Sequence, residues 1–225
     1  MNNINNFKKS AEEVINWYDS EIASSDETVK YAVFKDKKGR IETAVLKFVY
    51  DKNNKPKRLQ INTYIQPRKI TSTTTITVRE GNKAYLNSIA TFFEYRNTGI
   101  SSKVLELAQM IFRMKNIVEI YGSFWPNNPF YDEIENKTQT QVALKKQAEI
   151  FYKKHKFSII SKKDLKKFPK DLAFEIQKIF DSPENFGNNV LYKNIEKIKL
   201  DSFKDCDGIL IDSTLLENKP GEFGE

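Results

Sequence analysis

Apolar residues recur along this chain with two periods. Ala11, Val14, Ile15, Tyr18 and Ile22 fall three and four apart, the spacing of one helix face, and predict a first amphipathic helix that ends at Ser24-Ser25-Asp26. Residues 30–35, 41–50, 58–66 and 72–79 are rich in Val, Ile, Thr, Phe and Tyr. Turn-like stretches at 35–39 and 51–56 part the first three of them, so the run predicts four strands. A mostly apolar run at 84–91, with Leu86, Ile89 and Ala90, predicts a fifth, buried strand. Val104, Leu107, Ala108 and Ile111 then sit at i, i+3, i+4 and i+7 and predict a helix to about Asn116, followed by a strand over 117–123. Residues 124–143 carry two prolines and little periodicity and read as a long connection, either a lid over a site or a surface decoration. Beyond it, 158–161 reads as a short strand. Phe168, Leu172, Ile176, Ile179 and Phe180 predict a helix with Pro169 near its first turn, and 189–195 predicts a last strand. Consecutive strands followed by a strand–helix–strand unit predict an α+β domain, a mixed sheet with helices packed on it.

Between the fifth strand and its helix lies Arg96-Asn97-Thr98-Gly99-Ile100-Ser101. The first N–H groups of a helix have no partner inside it and point at whatever sits at that end. The helix dipole adds partial positive charge there, and Gly99, without a Cβ, lets a ligand approach the backbone. The stretch is neither the three-glycine dinucleotide fingerprint nor a Walker loop. Taken alone, one glycine at a strand–helix turn reads as punctuation.

A second segment changes that reading. Thr91-Phe92-Phe93-Glu94-Tyr95-Arg96 runs into the loop, and downstream Ala148, Phe151, Tyr152, Lys154 and Phe157 follow in the AEIFYKKHKF stretch. Together they resemble the GNAT superfamily of acyl-CoA-dependent N-acyltransferases over about residues 84–157, and more weakly to Ile195. That family has a strand ending in a V-x-P-E-Y-R-like run and an R/Q-x-x-G-x-G/A loop that opens a helix. A later helix reads A-x-x-hydrophobic-Tyr-x-K-x-G-F. The chain departs from the pattern with Ser101 at the loop's last Gly/Ala, Lys156 at the glycine before Phe157, and Lys145 where an Asn is common. The resemblance implies a three-layer αβα-like GNAT fold with a central mixed, mostly antiparallel sheet, helices on both faces and the first helix crossing over the sheet.

Composition narrows the function. The chain has 225 residues and 39% hydrophobic content, enough for one domain over residues 1–195 and an extension over 196–225. It shows no stretch of membrane-spanning length and no apolar signal region, so no membrane partner is expected. Cys206 is the one cysteine and His155 the one histidine, which argues against disulfides, a cysteine metal cluster, a zinc site and a Ser-His-Asp triad. No metal is expected, and a reducing cytoplasm is the natural compartment. Residues 145–170 hold ten lysines against Glu149 and Asp164, so 10 − 2 = +8. Nucleic-acid phosphate is one use for such charge, but with 31 lysines to six arginines a composition bias and a solvated helix face explain it better. Some of these lysines would serve the phosphates of coenzyme A instead.

N-acyl transfer needs a deprotonated amine, a thioester carbonyl beside it and an acid for the leaving thiolate. It needs no covalent enzyme nucleophile. The resemblance places the pyrophosphate of acetyl-CoA on the backbone N–H groups of Asn97, Thr98, Gly99, Ile100 and Ser101, next to the motif residue Arg96. It places the pantetheine arm along the backbone of Ile89, Ala90 and Thr91. It makes Tyr152 the general acid, and the acceptor an amine on a small molecule or a protein. No base stands out among Glu80, Glu94, Glu119, Glu133 and Glu135, since the strand before the loop carries Asn87 and Ser88 where many members have a glutamate. The alternative is a catalytically silent member that binds a protein or RNA partner. In the extension, net charge −4, the apolar residues Ile209, Leu210, Ile211, Leu215 and Leu216 predict that 209–216 packs on the domain, drawn toward the basic 145–170 region.

Overall fold

The computed structural model describes residues 2–23, 28–50, 52, 56–79, 82–124, 137–182, 189–197 and 210–211. The chain divides into two compact units, one of residues 1–118 with 195–225 and one of residues 119–194.

The first unit opens with helix α1, Asn2–Glu21. Ala11, Val14 and Tyr18 are buried at the expected spacing, and Ile15 is half-buried. Ile22 is the exception: it lies in the turn beyond the helix and is 50% exposed. Strands β1 (Thr28–Lys35), β2 (Ile41–Tyr50), β3 (Pro56–Gln66), β4 (Lys69–Arg79) and β5 (Lys83–Thr91) follow as an antiparallel meander. Short turns join β1 to β2 over 36–40 and β3 to β4 over 67–68, the connection antiparallel neighbours allow. Residues 42–46 of β2 are buried without alternation, so this strand is covered on both faces there. On one face Val14 and Tyr18 pack against Val45 and Tyr64, with Trp17 and Tyr31 around them. Burying side chains of this size contributes about 1.5–3 kcal/mol each.

The other face changes character along its length. At one end it is apolar, with Phe48, Leu59, Ile76 and Leu86. At the other it is polar, with Glu42, Thr63, Thr71 and Ser72, all buried. The polar end is the end at which β5 finishes, because Ser72 is the register partner of Thr91. After β5 come a 3₁₀ turn at Phe93–Tyr95 and helix α2, Ile100–Met114, which packs against β4 and β5. Val104, Leu107, Ala108 and Ile111 are its buried stripe, as their spacing predicts.

The second unit holds strand β6 (Glu119–Ser123), helix α3 (Lys137–Lys154), strand β7 (Ser158–Ser161), a 3₁₀ turn at Lys162–Lys167, helix α4 (Lys170–Phe180) and strand β8 (Asn189–Asn194). β8 pairs antiparallel with both β6 and β7. Pro169 caps α4 at its N-terminus. The expected connection over 124–143 is corrected in its last part: residues 137–143 are the start of α3. Thr and Gln alternate there without an apolar stripe, so periodicity gave no helix signal. Residues 125–136 lie outside the described ones.

Residues 210–211 of the extension form β9 (Leu210–Ile211), which pairs antiparallel with β1, Ala32 opposite Ile211 and Val33 opposite Leu210. The rest of 209–216 lies outside the described residues. The chain is therefore an α+β protein whose strands, within each unit and among the described residues, pair antiparallel. No helix among the described residues is long and apolar enough to cross a membrane.

Candidate active site

The loop after β5 is fixed backbone by backbone. Phe92 N–H donates to the Thr71 carbonyl at 3.0 Å, Tyr95 N–H to Phe92 O at 2.9 Å and Arg96 N–H to Phe93 O at 3.2 Å. Asn97 is left-handed with φ 61°, a conformation asparagine tolerates. Gly99 is left-handed with φ 86° and caps α2, with no side chain capping the helix. The first N–H groups of α2 thus have no partner within the helix and no side-chain cap, the arrangement that favours an anion.

The expected cofactor residues are consecutive here, but their side chains differ in use. Thr98 is 1% exposed, and its Oγ1 donates to the Tyr95 carbonyl at 2.5 Å, so its side chain belongs to the loop's interior. Ile100 is a core residue. The Ser101 and Thr91 hydroxyls bond at 2.5 Å, tying the first turn of α2 to the last residue of β5. Ile89, Ala90 and Thr91 are each half-buried rather than buried, so the strand end keeps accessible surface. Arg96 lies over the Phe93 ring at 5.4 Å and reaches the Thr91 carbonyl at a long 3.4 Å. Phe93 itself is 74% exposed.

A second contact holds the loop from the β1–β2 turn. Lys37 N–H donates to the Thr98 carbonyl at 2.8 Å. Its side chain runs over Gly99, where a Cβ would meet Lys37 Cγ at 3.2 Å. The turn is held by Asp36, which accepts from Lys38 N–H at 2.8 Å and Arg40 N–H at 2.9 Å and pairs with the Arg40 guanidinium at 2.7 Å. Arg40 in turn lies over the buried Tyr95 ring at 4.9 Å.

Sequence reasoning missed Glu42. It is 0% exposed, and its Oε2 accepts from the Thr71 hydroxyl at 2.6 Å. Burial pushes its carboxyl up to about 7; the Thr71 hydrogen bond opposes this, Asp36 adds to it and Arg40 opposes it. The signal was present in the strand pattern, since Glu42 is in phase with Ala44, Leu46 and Phe48 on the inward face of β2. Of the acids considered from sequence, Glu94 is exposed in the 3₁₀ turn. Glu119 accepts from the Tyr121 hydroxyl at 2.9 Å and the Tyr192 hydroxyl at 3.0 Å. Glu80, Glu133 and Glu135 lie outside the described residues.

In the second unit, Tyr152 sits on α3 among Phe151, Phe157 and Phe124, at ring separations of 5.2, 5.6 and 6.0 Å. Burial raises its phenol above the ordinary tyrosine range, which keeps its proton in place at neutral pH. The end of α3 is a Schellman motif: Phe157 N–H donates to Tyr152 O and Lys156 N–H to Lys153 O, each at 2.9 Å. Lys156 occupies the left-handed position with φ 59°. Glycine adopts such a φ without a Cβ penalty, and a lysine here does not. The motif closes on Tyr152 itself, through both its carbonyl and its ring.

The first unit thus holds a strand–loop–helix turn with an uncapped helix end, and the second holds a tyrosine ringed by Phe124, Phe151 and Phe157. No protein-family model and no curated protein sequence matches the chain. Among solved structures it is similar to a GNAT-family acetyltransferase from Staphylococcus aureus Mu50, at 18% identity over 61% of this chain and 68% of that one, with a TM-score of 0.39. It is similar to the PaiA N-acetyltransferase of Thermoplasma acidophilum, solved in complex with coenzyme A, at 14% identity, 61% of each chain and a TM-score of 0.36. A third likeness is to the ribosomal-protein-S18-alanine N-acetyltransferase of Escherichia coli, at 14% identity, 65% of this chain, 76% of that one and a TM-score of 0.35.

Proposed function

We propose that this protein is an N-acetyltransferase that moves an acetyl group from acetyl-CoA to an amine acceptor by direct attack in a ternary complex. The observation that carries the reading is the loop at 96–101: a left-handed Gly99 at the uncapped end of α2, directly after the half-buried end of β5. Backbone donors of Asn97 to Ser101 would take the pyrophosphate, which explains why the side chains of Thr98 and Ile100 are free to face inward. The backbone of Ile89 to Thr91 would pair with the pantetheine amides. In the reaction the amine nitrogen bonds to the thioester carbon, the C–S bond breaks, and the departing thiolate takes a proton from Tyr152. The phenol then regains its proton from solvent, and the amine's own proton leaves to water or a base.

Titration calorimetry with coenzyme A and acetyl-CoA tests this, together with a thermal shift. Binding with a raised melting temperature, followed by acetylation of an amine panel, supports the enzyme reading. Binding without turnover on any amine supports instead a silent member that uses the fold to bind a partner. No binding to folded protein removes both the donor and the reaction.

A further inference from the structure

The buried polar end of the β2–β5 face contains a directed chain of hydroxyls. Thr71 Oγ1 donates to Glu42 Oε2 at 2.6 Å, so its lone pairs remain for Thr63 Oγ1, also at 2.6 Å. Thr63 Oγ1 lies 2.7 Å from Ser72 Oγ. Donation then runs from Ser72 through Thr63 and Thr71 to the carboxyl. Thr63, Thr71 and Ser72 are all fully buried.

The chain exists because of a β-bulge. Thr63 is opposite Ser72 and Tyr64 is opposite Ile70, so Thr71 is the extra residue on β4. A bulge leaves one residue outside the alternation and re-aims its side chain. Here it brings the hydroxyls of both Thr71 and Ser72 to Thr63. The carbonyl of that same Thr71 accepts from Phe92 N–H at 3.0 Å, at the residue where β5 stops and the 3₁₀ turn begins. Without an acceptor for its hydroxyl, Thr71 would have no reason to leave the alternation. Its carbonyl would then shift with the rest of the strand.

We propose that Glu42 and the bulged Thr71 are positioning residues for the 92–99 loop, the carboxyl holding the bulge and the bulge holding Phe92. The proposal rests on the coenzyme A reading only for its functional consequence. Lys37 holds the far end of the same loop at Thr98, so the anion cradle is fixed at two points, one through Glu42 and one through Asp36. The charged groups that bear on Glu42 are Asp36 and Arg40. Its Oε1 is buried with no hydrogen-bond partner among the described residues, so the carboxyl's one anchor is Thr71.

Hydrogen exchange on the full chain reads the loop directly. In Thr71→Val and in Glu42→Leu, protection of the Phe92 amide should fall about tenfold or more, the scale of one hydrogen bond to a charged group, while Leu86 in the same strand keeps its protection. Glu42→Gln retains an acceptor and should restore Phe92 to the wild-type rate. Thr74→Val, which removes a buried hydroxyl without a partner on the same strand, should leave Phe92 unchanged. Should either single variant fail to fold, the Glu42→Leu/Thr71→Val double variant removes both partners together and leaves no unpaired carboxyl. It too should lose Phe92 protection selectively. Coenzyme A affinity should fall about tenfold in the same variants that lose protection and in no others. Wild-type protection at Phe92 in the folded Leu and Val variants, or an equal loss throughout β3 to β5, overturns the proposal. If coenzyme A fails to bind the wild type, the function reading falls and the exchange result still decides this one.

Discussion

The loop that opens α2 and the turn that closes α3 meet the same backbone demand with different residues. Each needs a left-handed residue at a helix end. At the start of α2 it is Gly99, for which φ 86° carries no Cβ penalty. At the end of α3 it is Lys156, an L-residue held at φ 59° by two backbone hydrogen bonds. The loop is further tied down by Thr71 and Lys37, whereas the α3 turn is held by its own motif and the Phe157–Tyr152 ring contact. A loop meant to grip a ligand by its backbone has to be fixed before the ligand arrives, or the ordering cost comes out of affinity. A turn that sits beside one half-buried tyrosine can carry some strain, because the aromatic packing around it holds the geometry.

The sharpest way to break the comparison is at Gly99. Gly99→Glu puts a side chain on a left-handed residue, crowds Lys37 and adds negative charge where the proposed ligand is anionic. Coenzyme A binding should fall by at least about 100-fold, combining strain with charge repulsion at a helix N-terminus. Calorimetry on folded protein checks it, and an unchanged dissociation constant would remove the loop from the site.

On the α3 side, Tyr152→Phe keeps the ring among Phe124, Phe151 and Phe157 and deletes only the hydroxyl. Turnover should drop by about 100-fold or more with coenzyme A affinity nearly intact, since only proton donation is lost. Single-turnover kinetics on an accepted amine tests this, and unchanged turnover would make Tyr152 a packing residue like its neighbours.

Much of this was legible in the sequence. The strand and helix stripes, the loop glycine and the two-part motif all depend on local period and spacing, which a linear chain displays. What stayed hidden depends on pairing across strands. Glu42, Thr63, Thr71 and Ser72 are scattered over three strands, and only the register and the bulge at Thr71 bring them together. The start of α3 stayed hidden for another reason: residues 137–143 are mostly polar, include two β-branched threonines and carry no apolar stripe. The left-handed turn at Lys156 is hidden as well, because lysine carries no local signal for that φ.

Glu42 also gives the loop's foundation a pH signature. The carboxyl's value is raised from 4.5 to about 7 by burial. Below about 4.5 it holds its proton folded and unfolded and does not affect stability. Between about 4.5 and about 7 only the folded state holds the proton, so this group's contribution declines as pH rises, and above about 7 the full penalty is present. At about 1.4 kcal/mol per unit over about 2.5 units, the loss is on the order of 3.5 kcal/mol. Glu42→Gln should remove it, leaving the variant more stable than the wild type at pH 8 and equal to it near pH 4.5. Denaturant titrations across that range check the sign, and a wild type that gains stability relative to the variant as pH rises contradicts it.

The smallest expected effect sharpens the comparison from the other side. Lys156→Gly gives the α3 turn the residue that α2 has at its start. Lys156 is exposed, so the substitution removes no buried contact. It relieves the left-handed penalty of about 1 kcal/mol, less a few tenths for the freedom glycine gains in the unfolded chain. The net should be a stabilisation of about 0.5–1 kcal/mol, seen as a higher denaturant midpoint at unchanged slope. If Tyr152 is oriented by this turn, turnover should stay the same, because the Schellman hydrogen bonds from Phe157 and Lys156 are backbone bonds that glycine keeps. Gly99→Ala is the counterpart test: it puts a Cβ on a left-handed residue and brings it to 3.2 Å from Lys37 Cγ, so it should cost more than Lys156→Gly gains. The excess then measures how firmly Lys37 is held over the loop.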